Sequence, residues 1–333
     1  VPDALASRRI EAERAIARLE QLCGADVQER NIGPLAAAVR GSLGRAAASI
    51  AGHARPAVGI ITGFYLAHGE PPNCETDGPP GAVMLAAGLS AAGIPCRLAT
   101  DRVNERVLRA TLAAAGPAAA PPLDVVSMLP AGGDGGRPLS AVIDAWRAAG
   151  LSHAIAIERC GPSADGAPRN AFGQDIAAWN APLERLFAGP WTTIGIGDLG
   201  NELGMGSLPR ELVAASIRDG AAIWCRIGCD HPLVGGISNW AGAALLGALA
   251  LLRPDWATPL LAAMAPAFAR RLLAAAVEDG EAVSGDPHGG PVRPWLSVDG
   301  LPWSRLEPTF AAMHETTRAA LGRAAGRPIA RAP

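Results

Sequence analysis

Short β-prone apolar runs alternate along the chain with longer segments whose apolar positions recur at three- and four-residue spacing. The short runs fall at 57–64, 96–100, 123–129, 153–158, 192–196 and 222–227. Helical segments follow them at 81–92, 103–115, 139–149, 176–187, 209–219 and 239–252. Such alternation predicts an α/β fold, a three-layer sandwich in which helices cover both faces of a mainly parallel, doubly wound sheet. Two additional helices are expected before the first run. One ends near Gly24 with Leu5, Ala12, Ile16, Leu19 and Cys23 on one face; the other covers 34–51, where Pro34 suits a first helical turn. C-terminal helices near 260–277 and 307–321 frame a glycine- and proline-rich loop at 284–302.

The loop-like stretches at 117–122 and 132–138 are too short to be linkers. The chain 1–333 is therefore expected as one α/β domain, with N-terminal helices at 1–54, a βα core at 55–255 and C-terminal helices and loop at 256–333. The uncharged stretch 232–252 has the length of a membrane span, but Gly235, Gly236, Ser238 and Asn239 break its first half. A loop followed by a core helix is expected there, and no membrane partner.

Composition narrows the chemistry. All 29 basic side chains are arginine, so a pyridoxal phosphate (PLP) Schiff base, a lysine general base and a phosphate-loop lysine are all excluded. A net charge of −2 gives no bulk attraction for nucleic acid or an anionic membrane, and leaves room for a small anionic substrate. The six cysteines form no paired framework, which is the usage of reduced thiols in a cytoplasmic protein; Cys225 and Cys229 stand too far from other ligands for a zinc site.

The densest candidate chemistry lies in Gly195-Ile-Gly-Asp-Leu-Gly-Asn-Glu-Leu-Gly-Met-Gly206. Following a strand, this segment projects Asp198, Asn201 and Glu202 from the carboxyl edge of the sheet, where ligands of open α/β sheets bind, while its glycines allow close backbone approach. Three other polar loops are expected to converge on the same crevice. The first carries Glu75, Thr76, Asp77 and Gly78 before a helix, where Thr76 or Asp77 alone reads as a helix cap. The second carries Glu158 and Arg159; the arginine suits either a structural ion pair or a bidentate clamp on a substrate carboxylate. The third carries Asp230, His231, Ser238 and Asn239, of which Ser238 or Asn239 caps the following helix. No Gly-x-Ser-x-Gly elbow occurs, and no nucleotide site is expected. What remains is proton transfer by carboxylates, with a divalent metal (Mn or Mg) at Asp198, Glu202 and Asp230 as an option.

Taken together, Ile61-Thr-Gly-Phe64, Glu75-Thr-Asp-Gly-Pro79, Glu158-Arg-Cys-Gly161, Gly197-Asp-Leu-Gly-Asn-Glu-Leu-Gly-Met-Gly206, Gly236-Ile-Ser-Asn-Trp240 and Val298-Asp-Gly-Leu-Pro302 resemble the family related to the C-terminal domain of mitochondrial D-glutamate cyclase. The chain departs from it at Leu199, where members often carry a second glycine. The resemblance implies a hydro-lyase that closes D-glutamate, or a related acidic amino acid, to 5-oxo-D-proline with loss of water. The residues available for that chemistry are Asp198, Glu202 and Glu158 as catalytic groups, with Glu75, Thr76, Asp77, Gly78, Arg159, Asn201, Ser238 and Asn239 holding the substrate. A competing reading with the same crevice is a non-catalytic domain that senses a small acidic metabolite. A homo-oligomer is left open.

Overall fold

Five of the six short apolar runs pair into one sheet, and a sixth strand from another segment completes it. The computed structural model describes residues 2–116, 121–129, 133–285 and 290–324. Parts of three expected loops, at 117–120, 132 and 286–289, lie outside the described residues. The strands are β1 (Val58–Thr62), β2 (Cys96–Asp101), β3 (Leu123–Val126), β4 (His153–Ile157), β5 (Thr192–Gly197) and β6 (His231–Val234). All neighbouring pairs are parallel, in the order β3-β2-β1-β4-β5-β6. The order reverses between β1 and β4, which makes that gap the switch point where doubly wound sheets open a crevice.

The period-two burial of the strands explains the layers. Val58, Ile60, Leu98, Ile155, Ile157, Ile194, Ile196 and Leu233 belong to one apolar cluster. Their alternates Ile61, Ala99, Val126, Ala154, Ala156 and Val234 belong to the other. The first face is bulky and is covered by several helices, Pro2–Cys23, Ser42–Gly52, Pro79–Ala91, Ser238–Leu252, Pro266–Glu278 and Trp303–Ala324 among them. The second face is lined by small residues. There Trp146, from helix Leu139–Ala148, lies so close to Gly59 that a Cβ at that position would overlap its ring. Helix Ser238–Leu252 is apolar all round because it is enclosed on all sides: every residue except Leu252 is buried. Among the described residues no single helix is long and apolar enough to cross a membrane.

Several expected elements differ. The helix over 34–51 is two helices, Gly33–Ala38 and Ser42–Gly52, parted at Gly41, whose φ of 81° no helix accommodates. The helix at 176–187 is reduced to a 3-10 turn at Ala177–Trp179 and one turn at Glu184–Phe187, because Pro182 disfavours helix in the residue before it. The strand expected at 222–227 is not one. Its start forms the short helix Gly220–Ile223, and the sixth strand is His231–Val234. Pro232 argues against a central strand, yet β6 is the edge of the sheet, where a missing amide donor costs little. The six cysteines form no disulfide.

Candidate active site

The carboxyl ends of β1, β4 and β5 deliver the acids that the sequence singles out. Glu158 follows β4 directly, with φ 43°, and Asp198 follows β5. Glu75 to Gly78 lie beyond β1, after a small hairpin that pairs Tyr65–Leu66 with Asn73–Cys74. A pocket with about 80 Å³ of free space is lined at its acidic end by Glu75, Glu158, Asp198, Asn201 and Asp299. One water needs roughly 10–15 Å³ on this measure, so the space suits a molecule of amino-acid size.

Local hydrogen bonding shows why the site takes this shape. Glu202 is fully buried and turns back on its own loop: Oε1 accepts from the amides of Asp198 (3.0 Å) and Leu199 (2.9 Å), and Oε2 from Gly200 (2.7 Å). It fixes the turn that presents Asp198. Gly197 is required beside it, since a Cβ there would stand 2.5 Å from Glu202 Oε2. Leu199 has no positive φ, so its side chain strains nothing and lines the pocket.

Asp77 and Asn239 cap each other's helices. Asp77 accepts from the amides of Ser238 (2.7 Å) and Asn239 (2.9 Å) at the start of helix Ser238–Leu252. Asn239 Oδ1 accepts from Gly78 (3.1 Å) and Gly81 (2.7 Å) at the start of helix Pro79–Ala91. The caps anticipated within each helix are thus exchanged between the two, locking both N-termini under the site. Gly78, with φ 93°, holds the crossing open, because a Cβ there would lie 2.7 Å from Glu158 Cβ. Ser238 Oγ donates to Glu158 Oε2 at 2.6 Å. Thr76 is buried below the pocket and its carbonyl accepts from Asn239 Nδ2. Thr76, Asp77, Gly78, Ser238 and Asn239 therefore frame the pocket without lining it.

Two expected roles are overturned. Arg159 is 1% exposed and does not reach the pocket. It pairs with Asp101 Oδ2 at 2.6 Å and donates to the carbonyls of Gly63 and Ala181, so the structural ion pair, not the substrate clamp, is its role. Asp230 sits at the opposite edge of the sheet. Since the last strand is 231–234, Asp230 precedes it instead of following a strand, and its Oδ2 accepts from the amide and hydroxyl of Thr193, both at 2.8 Å. It cannot share a metal with Asp198.

Two residues with no role anticipated from the sequence complete the site. Arg30, from the connector after the first helix, donates to Asp198 Oδ2 (2.7 Å), to the Gly236 carbonyl (2.8 Å) and to Asp299 Oδ2 (3.4 Å). It is flanked by Glu29 and Asn31, both at positive φ. Asp299 comes from the tight turn between Ser297–Val298 and Leu301–Pro302, itself with φ 48°. Nothing local marks Arg30, one arginine among many. Asp299 carried a signal, because it lies in the Val298-Asp-Gly-Leu-Pro302 match. Strained non-glycine residues cluster at functional sites, and four such positions meet here.

The electrostatics follow from burial. Glu75, Glu158 and Asp299 are driven well above the usual carboxylate range, by desolvation first and by the neighbouring carboxylates second. Burial, again with Asp198 nearby, pushes Glu202 and Asp77 up to about 7 even though backbone amides oppose it. Burial acts to lower the Arg30 pKa, but Asp198 and Asp299 outweigh it and raise it. Several polar atoms facing this region have no protein partner among the described residues: Glu75 Oε1, Asn201 Oδ1 and Arg30 Nε. Two trios bring carboxylate oxygens within metal-binding reach, Asp77-Asp198-Asp299 and Glu158-Asp198-Glu202. The first already has the Arg30 guanidinium as its cation. The second, a set of hard oxygen donors, fits a small divalent ion of the Mg or Mn kind.

A family model described as "D-glutamate cyclase-like, C-terminal" matches residues 19–313. The chain is 33% identical over 261 residues to human "D-glutamate cyclase, mitochondrial", an alignment covering 73% of this chain and 40% of that protein. The chain therefore spans well under half of the relative's length. The family model covers most of the chain, and the chain belongs to the family of D-glutamate cyclase-like C-terminal domains.

Proposed function

We propose that this chain closes an acidic 2-amino acid of the D-glutamate type to its five-membered lactam, 5-oxo-D-proline, with loss of water. The observation that carries this reading is the unpartnered set Glu75 Oε1, Asn201 Oδ1 and Arg30 Nε around a pocket of amino-acid size. Buried polar atoms without partners are costly, and a zwitterion satisfies all three: its ammonium donates to Glu75 and Asn201, and its carboxylate accepts from Arg30.

Ring closure requires a neutral amine. Glu75, whose affinity for a proton is raised by burial and by the neighbouring carboxylates, takes the first ammonium proton. The amine then attacks the distal carboxyl carbon, one nitrogen–carbon bond forms and one carbon–oxygen bond breaks. Two ammonium protons end on the departing oxygen, which leaves as water. Glu158 and Asp198 face this end of the pocket, held by Ser238 and Arg30. A divalent ion on Glu158, Asp198 and Glu202 supplies Lewis-acid polarisation of the distal carboxyl group when bound. Incubating the purified chain with D- and L-glutamate, with manganese and after chelation, tests the reading by mass spectrometry. The expected product is 18 mass units lighter (about one water, by the chemistry of ring closure). Binding without conversion under every condition favours the sensing domain instead.

A further inference from the structure

The pocket has two unlike ends. Its buried end holds the acids, with Glu158, Asp198 and Asn201 at most 6% exposed. Its mouth is apolar and aromatic. Phe64, Leu66, Phe172 and Val292 line it, Phe172 is 41% exposed, and the His68 ring meets Phe172 edge-on at 5.8 Å. Beside it Trp179, another exposed aromatic, stacks on Tyr65 at 6.4 Å. An open phenyl ring on a pocket rim is a surface waiting for an apolar group.

The polar inventory points the same way. Among the described residues Arg30 is the one arginine lining the pocket; Nη2 is committed to Asp198 and Gly236 and one Nη1 hydrogen to Asp299, leaving Nε and the second Nη1 hydrogen as its free donors. One guanidinium and two acceptors, Glu75 Oε1 and Asn201 Oδ1, match one carboxylate and one ammonium. In the absence of a bound ion, a second, distal carboxylate finds no further arginine among the described residues lining the pocket and faces Glu158, Asp198 and Asp299 instead. We infer that the preferred substrate is a 2-amino acid whose distal carboxyl group is masked as an uncharged amide or ester bearing an apolar substituent, which lies against Phe172 and its neighbours. This rests on the cyclase reading and narrows its substrate. The balance then changes in the leaving group and in one proton: the amine nitrogen bonds to the distal carbonyl carbon, the bond from that carbon to the substituent's nitrogen or oxygen breaks, one ammonium proton goes to the departing amine or alcohol, and the other, taken by Glu75, passes to solvent.

The test compares D-glutamate with its γ-(4-nitroanilide), in both hands, following lactam by mass spectrometry and nitroaniline by absorbance, with manganese and after chelation; chain-free samples give the spontaneous rate. The expected kcat/KM for the D-anilide exceeds that for D-glutamate at least tenfold. Phe172→Ala is expected to cut that preference by up to roughly tenfold, the worth of one aromatic contact. Equal or faster turnover of D-glutamate overturns this inference and leaves the cyclase reading standing. An unaltered preference in Phe172→Ala overturns the placement of the substituent. Turnover of neither compound removes the cyclase reading and this inference with it.

Discussion

The two edges of the sheet carry similar residue types and behave differently. At the amino-terminal edge a groove of about 640 Å³, lined by His53, Arg55, Pro56, Gly93 and Trp256 among others, is far larger than the 80 Å³ pocket at the carboxyl edge. Its ionisable neighbours are mostly served: Asp230 is held by Thr193, and His153 Nδ1 lies 2.8 Å from Ser152 Oγ. The site at the carboxyl edge instead gathers, among the described residues, six buried or half-buried acids (Glu75, Asp77, Glu158, Asp198, Glu202 and Asp299) around Arg30, with positive-φ residues. Volume is therefore a poor guide here; unmet hydrogen-bonding capacity is the better one. The direction of the strands explains the asymmetry. In a parallel sheet the helices that follow each strand start at the carboxyl edge, so the positive ends of Pro79–Ala91 and Ser238–Leu252 point into the acid cluster and make it tolerable.

The sharpest way to break this comparison is to remove one acid at each edge. Asp198→Asn and Glu158→Gln should each lower lactam formation by roughly 10²–10⁴-fold, the worth of a positioned carboxylate, whereas Asp230→Asn should leave the rate unchanged. Loss of activity in Asp230→Asn, or retention in both others, would reverse the assignment of the edges.

Arg30→Met should come next. It strips the cation from Asp198 and Asp299, and breaking a buried pair costs roughly 3–5 kcal/mol, so calorimetry should show a much lower Tm. Arg159→Met, which unpairs Asp101, should destabilise by a similar amount. Only the Arg30 variant should also lose binding of an amino-acid ligand, because only Arg30 lines the pocket.

The pH dependence of stability should run in opposite directions at the two edges. Burial raises Glu158 well above its ordinary 4.5, so above that value the unfolded chain has lost a proton that the folded chain still holds. Stability from this group is full below about 4.5 and declines as pH rises through the raised value. Glu158→Gln should therefore be more stable than the parent at pH 8 and gain little at pH 5, measured by urea unfolding. At the other edge burial, with His53 and His231 nearby, lowers His153 from 6.5 to about 4. Its contribution is present above 6.5 and is lost as pH falls through 4, so His153→Gln should flatten the acid limb of the stability curve. The smallest effect is expected from Asp230→Asn, about 1 kcal/mol for a weakened pair of hydrogen bonds.

How legible all this was depended on whether the signal was local. The runs Val58–Thr62, His153–Ile157 and Thr192–Gly197 read as strands because β-branched side chains buried on both faces leave a continuous apolar pattern. The last strand was misplaced because Ala222 to Ile227 has the composition of a strand, while the true one is short and contains Pro232. That single slip carried Asp230 to the wrong edge. Asp198 and Glu158 stand out in the sequence because acids just beyond apolar strands have few structural reasons to be there, and the structure brings both to one pocket with Glu75. Arg159 fitted two roles equally until Asp101, 58 positions away in sequence by simple subtraction, was seen against it.

The sequence alone determined the alternation, the parallel sheet, the absence of lysine chemistry and the polar strand ends, since each is written in neighbouring residues or in composition. Only the tertiary structure decided which acids meet, that Asp77 and Asn239 exchange helix caps, and that Arg30 and Asp299 close the site from either end of the chain. The reason is physical: burial and pairing are properties of what surrounds a charge in space, and the partners that set them here are scattered from residue 30 to residue 299.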